Sequence, residues 1–178
     1  VGDAAATQPR YAVAEYDVRV PRELRGSEAN RYYPPGDIVW RGEPLGDRHA
    51  QVAEIFRDSI EMSRAHTGEG RPAALEIEVK RFHGITEKAR YTTGGVHAIT
   101  FEVTLRDPDT GEPLRAPRTV RADLDAFGGA RAIAAERNGV TQRHRITSHL
   151  AKVIATELTD PEGYRSVNRG FYGLLNRL

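Results

Sequence analysis

Apolar and polar residues alternate most regularly between residues 72 and 125. Leu75, Ile77 and Val79 interleave with Glu76, Glu78 and Lys80, giving one apolar and one charged face at the period of a half-buried strand. His97, Ile99, Phe101, Val103 and Leu105 form a second such face against Ala98, Thr100, Glu102 and Thr104. A third run over 114–124 sets Val120, Ala122 and Leu124 against Arg121 and Asp123. Asp107-Pro108-Asp109-Thr110-Gly111 separates the second and third runs. Proline presets φ and glycine accepts positive φ, so this is a turn between antiparallel strands. A sheet with one wet face needs a cover for the dry one.

Two helical stripes supply it. Residues 47–64 bring Val52, Ile55, Phe56 and Ile60 to one side, and 141–158 do the same with Ile146, Leu150, Val153, Ile154 and Leu158. Thr141 has the chemistry of an N-cap. With a looser strand at 11–20, ended by Pro21, the order is β-α-β-β-β-α. The predicted fold is α+β, a two-layer sandwich with a mainly antiparallel sheet and two helices on one face.

The remaining stretches are shorter. Residues 1–10 read as a small, polar, flexible lead-in, 11–158 as one domain, and 159–178 as a tail with a weak apolar stripe of Phe171, Leu174, Leu175 and Leu178. Between strand one and helix one, Arg31-Tyr32-Tyr33-Pro34-Pro35-Gly36 is dense in aromatics and prolines. It reads as a recognition surface or as a loop pinned by its tyrosines. Residues 37–42 suggest a short strand containing Trp40, a packing residue, and 130–137 a short alanine-rich helix.

Composition narrows the function. The 178 residues carry 26 basic and 25 acidic side chains, a net charge of +1, which offers no general field for nucleic acid or an acidic membrane. Lys80, Lys88 and Lys152 are the only lysines; the excess of arginine fits a GC-rich genome. Cysteine is absent, which removes disulfides, thiolate zinc sites and cysteine nucleophiles within these residues. No run reaches the length of a membrane span. The chain begins at Val1, and a secretory leader, with or without a lipidated cysteine, is one element that could stand upstream.

Catalytic motifs are few. The six histidines show no HExxH spacing. His83 and His97 are expected near one end of the same hairpin, on the face of Ile77, Val79, Ile99 and Phe101. Two imidazoles there could hold a metal or exchange protons, or they could simply cap the edge of the core. Gly94-Gly95 and Gly128-Gly129 match no phosphate-loop pattern and read as turn or bulge geometry. The second pair precedes a helix start, where an anion could sit near Arg131 and Arg137. Glu76 and Glu78 share an outward strand face and read as solvated. No cofactor is implied.

The run Glu78-Val79-Lys80-Arg81-Phe82-His83-Gly84, with Ala89-Arg90-Tyr91, Gly94-Gly95-Val96-His97, residues 101–105 and the 107–111 turn, resembles small envelope lipoproteins of Gram-negative bacteria. Residues 27–42 and 46–52 are similar to an uncharacterised lipoprotein family of alphaproteobacteria. The resemblance spans about 16–158. It implies a periplasmic domain tethered by a lipobox cysteine, which these residues do not contain, and a non-catalytic role in binding envelope proteins. No catalytic residue carries over. The partner-binding residues expected are Tyr32, Tyr33, Trp40, Arg90, Phe171 and Tyr172, in or beside the 22–42 segment, the 84–95 loop and the tail. The alternatives are a ligand- or lipid-transport auxiliary domain with an apolar groove, and an enzyme or metal site built on His83 and His97.

Overall fold

Two long strands form the spine of the molecule. The computed structural model describes residues 10–165. In chain order the elements are β1 (Tyr11–Arg19), β2 (Ile38–Val39), α1 (Arg48–Thr67), β3 (Arg71–His83), α2 (Glu87–Arg90), β4 (Gly95–Arg106), β5 (Arg118–Arg121), β6 (Leu124–Ala126), α3 (Gly129–Arg137) and α4 (Gln142–Thr159). β3 and β4 pair antiparallel in the centre of an open sheet. Each flank is then completed by two further strands. β1 lies along the first part of β3, and β2 meets Phe82 and His83 at its end. Across β4, β5 pairs with residues 100–103 and β6 with residues 95–97.

The fold is α+β and largely antiparallel, with two corrections to the expected sandwich. β1 and β2 run parallel to β3. A parallel neighbour needs a crossover, and α1 supplies it; alternation within a strand says nothing about its direction. Among the described residues there are four helices rather than the two of the expected sandwich: α3 is the short alanine-rich helix expected at 130–137, and α2 adds a single turn that the sequence reading did not include.

The expected third run, 114–124, is not one strand either. β5 ends at Arg121, and Ala122 N–H still donates to Ile99 O at 2.8 Å. The Asp123 carboxylate then takes the next bond, accepting from Ile99 N–H at 3.1 Å before β6 begins. A side chain stands in for the strand backbone at the break, so no donor of β4 is orphaned there.

α1 and α4 pack along each other and cover the apolar face. The predicted stripes are the ones buried: Val52, Ile55, Phe56 and Ile60 from α1, and Ile146, Leu150, Val153, Ile154 and Leu158 from α4. Asp47 accepts from Ala50 N–H at 3.1 Å and Thr141 from His144 N–H at 3.1 Å, so each long helix starts on a side-chain cap. Trp40, Phe82, Phe56 and Phe101 join edge to face through the core, with centroid separations of 5.6, 6.3 and 5.2 Å. That chain ties the segment after β2 to α1 and both central strands.

β3 does not keep one phase. Val79 faces Phe101 but Arg81 faces Thr100, so Lys80 is an extra residue, a bulge. Leu75, Ile77 and Val79 are buried before it; Phe82 is buried after it.

Candidate functional site

The segment 20–47, between β1 and α1, has little regular structure but is fixed by polar contacts along its length. Arg25 O accepts from Asp37 N–H at 2.7 Å and Ile38 N–H at 3.0 Å, while the Asp37 carboxylate accepts from Arg25 N–H at 3.0 Å. The Arg41 guanidinium spans Glu28 at 2.6 Å and Glu87 at 3.0 Å, and Arg48 reaches Glu28 at 2.8 Å. The Arg48 and Arg41 hydrogen bonds hold the Glu28 carboxyl below its ordinary pKa. From the β3–β4 connection, Thr86 Oγ1 donates to Arg31 O at 2.7 Å, and Lys88 N–H donates to Asn30 Oδ1 at 2.9 Å. His83 Nε2 donates to Pro34 O at 2.8 Å, since a carbonyl can only accept.

On this frame Tyr32 is 44 % exposed, under the Lys88 ammonium at 4.9 Å, and Tyr33 is 81 % exposed. Trp40 and Arg90, expected beside them as partner contacts, are not at the surface. Trp40 is wholly buried and its indole N–H donates to Glu43 at 2.6 Å. Arg90 is buried and its guanidinium meets Glu136 at 2.7 Å, bracing α2 against α3. A large aromatic after a strand is core material, and the charge of Arg90 is spent on a structural pair. Phe171 and Tyr172 lie outside the described residues.

The histidine pair does not form. His83 pairs with Ala98, whereas His97 lies on the face of Ile99 and Phe101. Directly opposed strand residues share a face, so the two imidazoles stand on opposite sides of the sheet. The bulge at Lys80 turned His83 outward. Among the described residues, no cluster of three or more histidine, aspartate or glutamate side chains could hold a metal.

His97 has its own peculiarity. It is fully buried, and neither ring nitrogen has a hydrogen-bond partner. Burial pushes its pKa down to about 3, helped by Arg145, Arg90 and His149 nearby. It is a neutral side chain at the foot of a cationic cluster, with no proton relay attached.

That cluster was not visible along the chain. Phe127, just before α3, has two guanidiniums against its ring: Arg145 of α4 at 3.6 Å from the ring centroid and Arg131 of α3 at 4.0 Å. Among the described residues neither arginine has an ion pair. Burial, then Arg131, lower the Arg145 pKa, and the nearby Asp125 only partly offsets them. Phe127 and Arg145 are 18 positions apart in no recognisable motif, so only the glycines and Arg131 offered a hint.

The glycines make a close backbone contact. A Cβ on Gly128 would lie 2.3 Å from Gly94 N, and one on Gly94 would lie 3.1 Å from Gly128 N. Gly94 also has φ of +73°. The pairs let the end of the β3–β4 connection and the start of α3 touch.

The geometry describes an α+β domain with an ordered, tyrosine-bearing loop and no assembled catalytic constellation among the described residues. The chain belongs to a family of unknown function, DUF6778, whose model matches residues 11–173. No curated protein matches it. Among solved structures it is similar to a candidate lipoprotein from Caulobacter crescentus, at 17 % identity and a TM-score of 0.37, over 60 % of this chain and 79 % of that one. It is also similar to a DUF330 protein from Xanthomonas campestris, at 16 % identity and a TM-score of 0.43, over 83 % of this chain and 85 % of that one. At these scores neither likeness bears on function.

Proposed function

We propose that the chain is a non-enzymatic domain of the bacterial cell envelope, periplasmic and membrane-tethered, that binds a protein partner through the loop carrying Tyr32 and Tyr33. The observation that carries this reading is the exposure of both tyrosines on a segment already held by Arg41 at Glu28 O, Thr86 at Arg31 O, His83 at Pro34 O and Lys88 N–H at the Asn30 side chain. A loop ordered before binding loses little conformational freedom on binding, and tyrosine presents a large, stiff, amphipathic surface. The envelope setting draws on the sequence resemblance at 78–84 and 27–42.

The lipid-groove alternative gains nothing from the cavity at the β1 edge. It measures about 390 Å³ and is walled by Arg71, Arg115, Arg118 and Glu157 along with Tyr11 and Leu114. Such a lining suits charge rather than acyl chains.

Site-specific photo-crosslinking in cells tests the loop. A photoreactive residue at position 33 is expected to give a discrete adduct in the envelope fraction, and one at exposed Arg137 to give none. Equal labelling from both positions, or a native protein found only in the cytoplasm, would overturn the reading.

A further inference from the structure

We infer that Arg131 and Arg145 form a binding site for a phosphate-type oxyanion, held open by the ring of Phe127. The two guanidiniums come from different helices and converge on one aromatic ring, at 4.0 and 3.6 Å from its centroid. Like charges brought this close repel, and here no carboxylate pairs with either of them among the described residues. Arg90 adds a third cation within electrostatic reach of Arg145, while the Glu136 carboxylate is committed to Arg90. Asp125 is the acid that acts on Arg145, without forming an ion pair. Buried His97 beneath the cluster is neutral and contributes no charge.

The stacking also sets orientation. A guanidinium lying against a ring presents its N–H edge outward, and that edge matches the two oxygens of an oxyanion. Arg131 is exposed and Arg145 half-buried, so the pair is open on one side and partly dehydrated on the other, where an anion is bound more strongly than in bulk water. Burial, then repulsion by Arg131, lower the Arg145 pKa and Asp125 offsets them only in part; a bound anion would add the remaining compensation. The phosphate group could belong to a soluble ion or to a lipid headgroup.

Inorganic phosphate is the first probe, titrated into the folded domain against sodium chloride at matched ionic strength, with the Arg145 Nε–H resonance as readout. The wild-type protein is expected to saturate with phosphate, and Arg131→Gln to weaken the apparent affinity about tenfold, the effect of removing one charge-assisted partner. Arg137→Gln, an exposed arginine at the far end of α3, is expected to leave it unchanged. Arg131→Gln relieves repulsion on Arg145, so the variant is expected to fold, and its melting temperature checks this.

Co-sedimentation with phosphatidylglycerol vesicles, using phosphatidylcholine as control, separates the sources. Sedimentation that depends on Arg131 identifies a headgroup site; a saturable phosphate response without sedimentation identifies a soluble oxyanion. A phosphate response matched by chloride or unchanged in Arg131→Gln, together with no sedimentation that depends on Arg131, would overturn the site.

Discussion

His83 and His97 stand on opposite faces of the central hairpin, His83 opposed to Ala98 and bonded to Pro34 O, His97 sealed in the core. One residue, Lys80, separates them in phase. It sits in β3 without a partner in β4, so everything after it is rotated by half a strand period. The same rotation places Phe82 between Trp40 and Phe56 and frees His83 to fasten the tyrosine loop.

The bulge is therefore worth more to the fold than the side chain that makes it. Deleting Lys80 is expected to send Phe82 outward and His83 inward and to abolish cooperative unfolding. Lys80→Ala keeps the extra residue and should change stability by no more than about 0.5 kcal/mol, since the side chain is exposed. Phe82→Ala should cost about 3–5 kcal/mol. Urea denaturation of the three variants checks the order, and a deletion mutant as stable as Lys80→Ala would refute the bulge.

His97 should make the protein sensitive to acid. Its imidazole takes a proton near pH 6.5 when unfolded and near pH 3 in the core. Between those values the unfolded chain binds more protons, so stability is complete above about pH 6.5 and falls with pH, by up to about 1.4 kcal/mol per unit. His149, also lowered by burial, acts in the same direction and leaves a residual slope. His97→Leu should flatten the curve. At pH 7 it should match or exceed the wild type by about 1 kcal/mol, because two unpartnered nitrogens leave the core. Equal slopes in denaturation at pH 4.5 and 7.5 would contradict this.

Gly128→Ala should be destabilising by about 1–3 kcal/mol or more, since the new methyl would lie 2.3 Å from Gly94 N and 2.7 Å from Gly94 Cα. Both contacts are backbone, which cannot swing aside. Gly26→Ala meets nothing closer than 4.0 Å and should be neutral within about 0.5 kcal/mol. Thermal unfolding of the two variants makes the comparison.

Glu157 anchors the chain beyond α4. Its carboxylate accepts from Arg115 at 3.1 Å, Arg118 at 3.4 Å and Tyr164 N–H at 2.8 Å, and it is almost fully buried. Glu157→Gln leaves two guanidiniums facing a neutral group and should cost about 3 kcal/mol. Hydrogen exchange should accelerate over residues 160–164 first, and protection equal to wild type there would show that the anchor lies elsewhere.

Periodicity by itself determined the helices and strands that face one core. The stripes of α1 and α4, the alternating faces of β3 and β4, the cap at Thr141 and the turn at 107–111 follow from local chemistry, and the structure uses them as written. Trp40 was expected both as a packing residue and as a partner contact, and burial makes it the former. Strand direction, the interruption at Asp123, the bulge at Lys80 and the meeting of Arg131 with Arg145 on Phe127 were decided in three dimensions. Alternation has a period but no sign and no partner: it cannot say which way a neighbour runs, or where one extra residue reverses the faces. Likewise, two arginines on separate helices acquire a joint chemistry only when packing brings them to one ring.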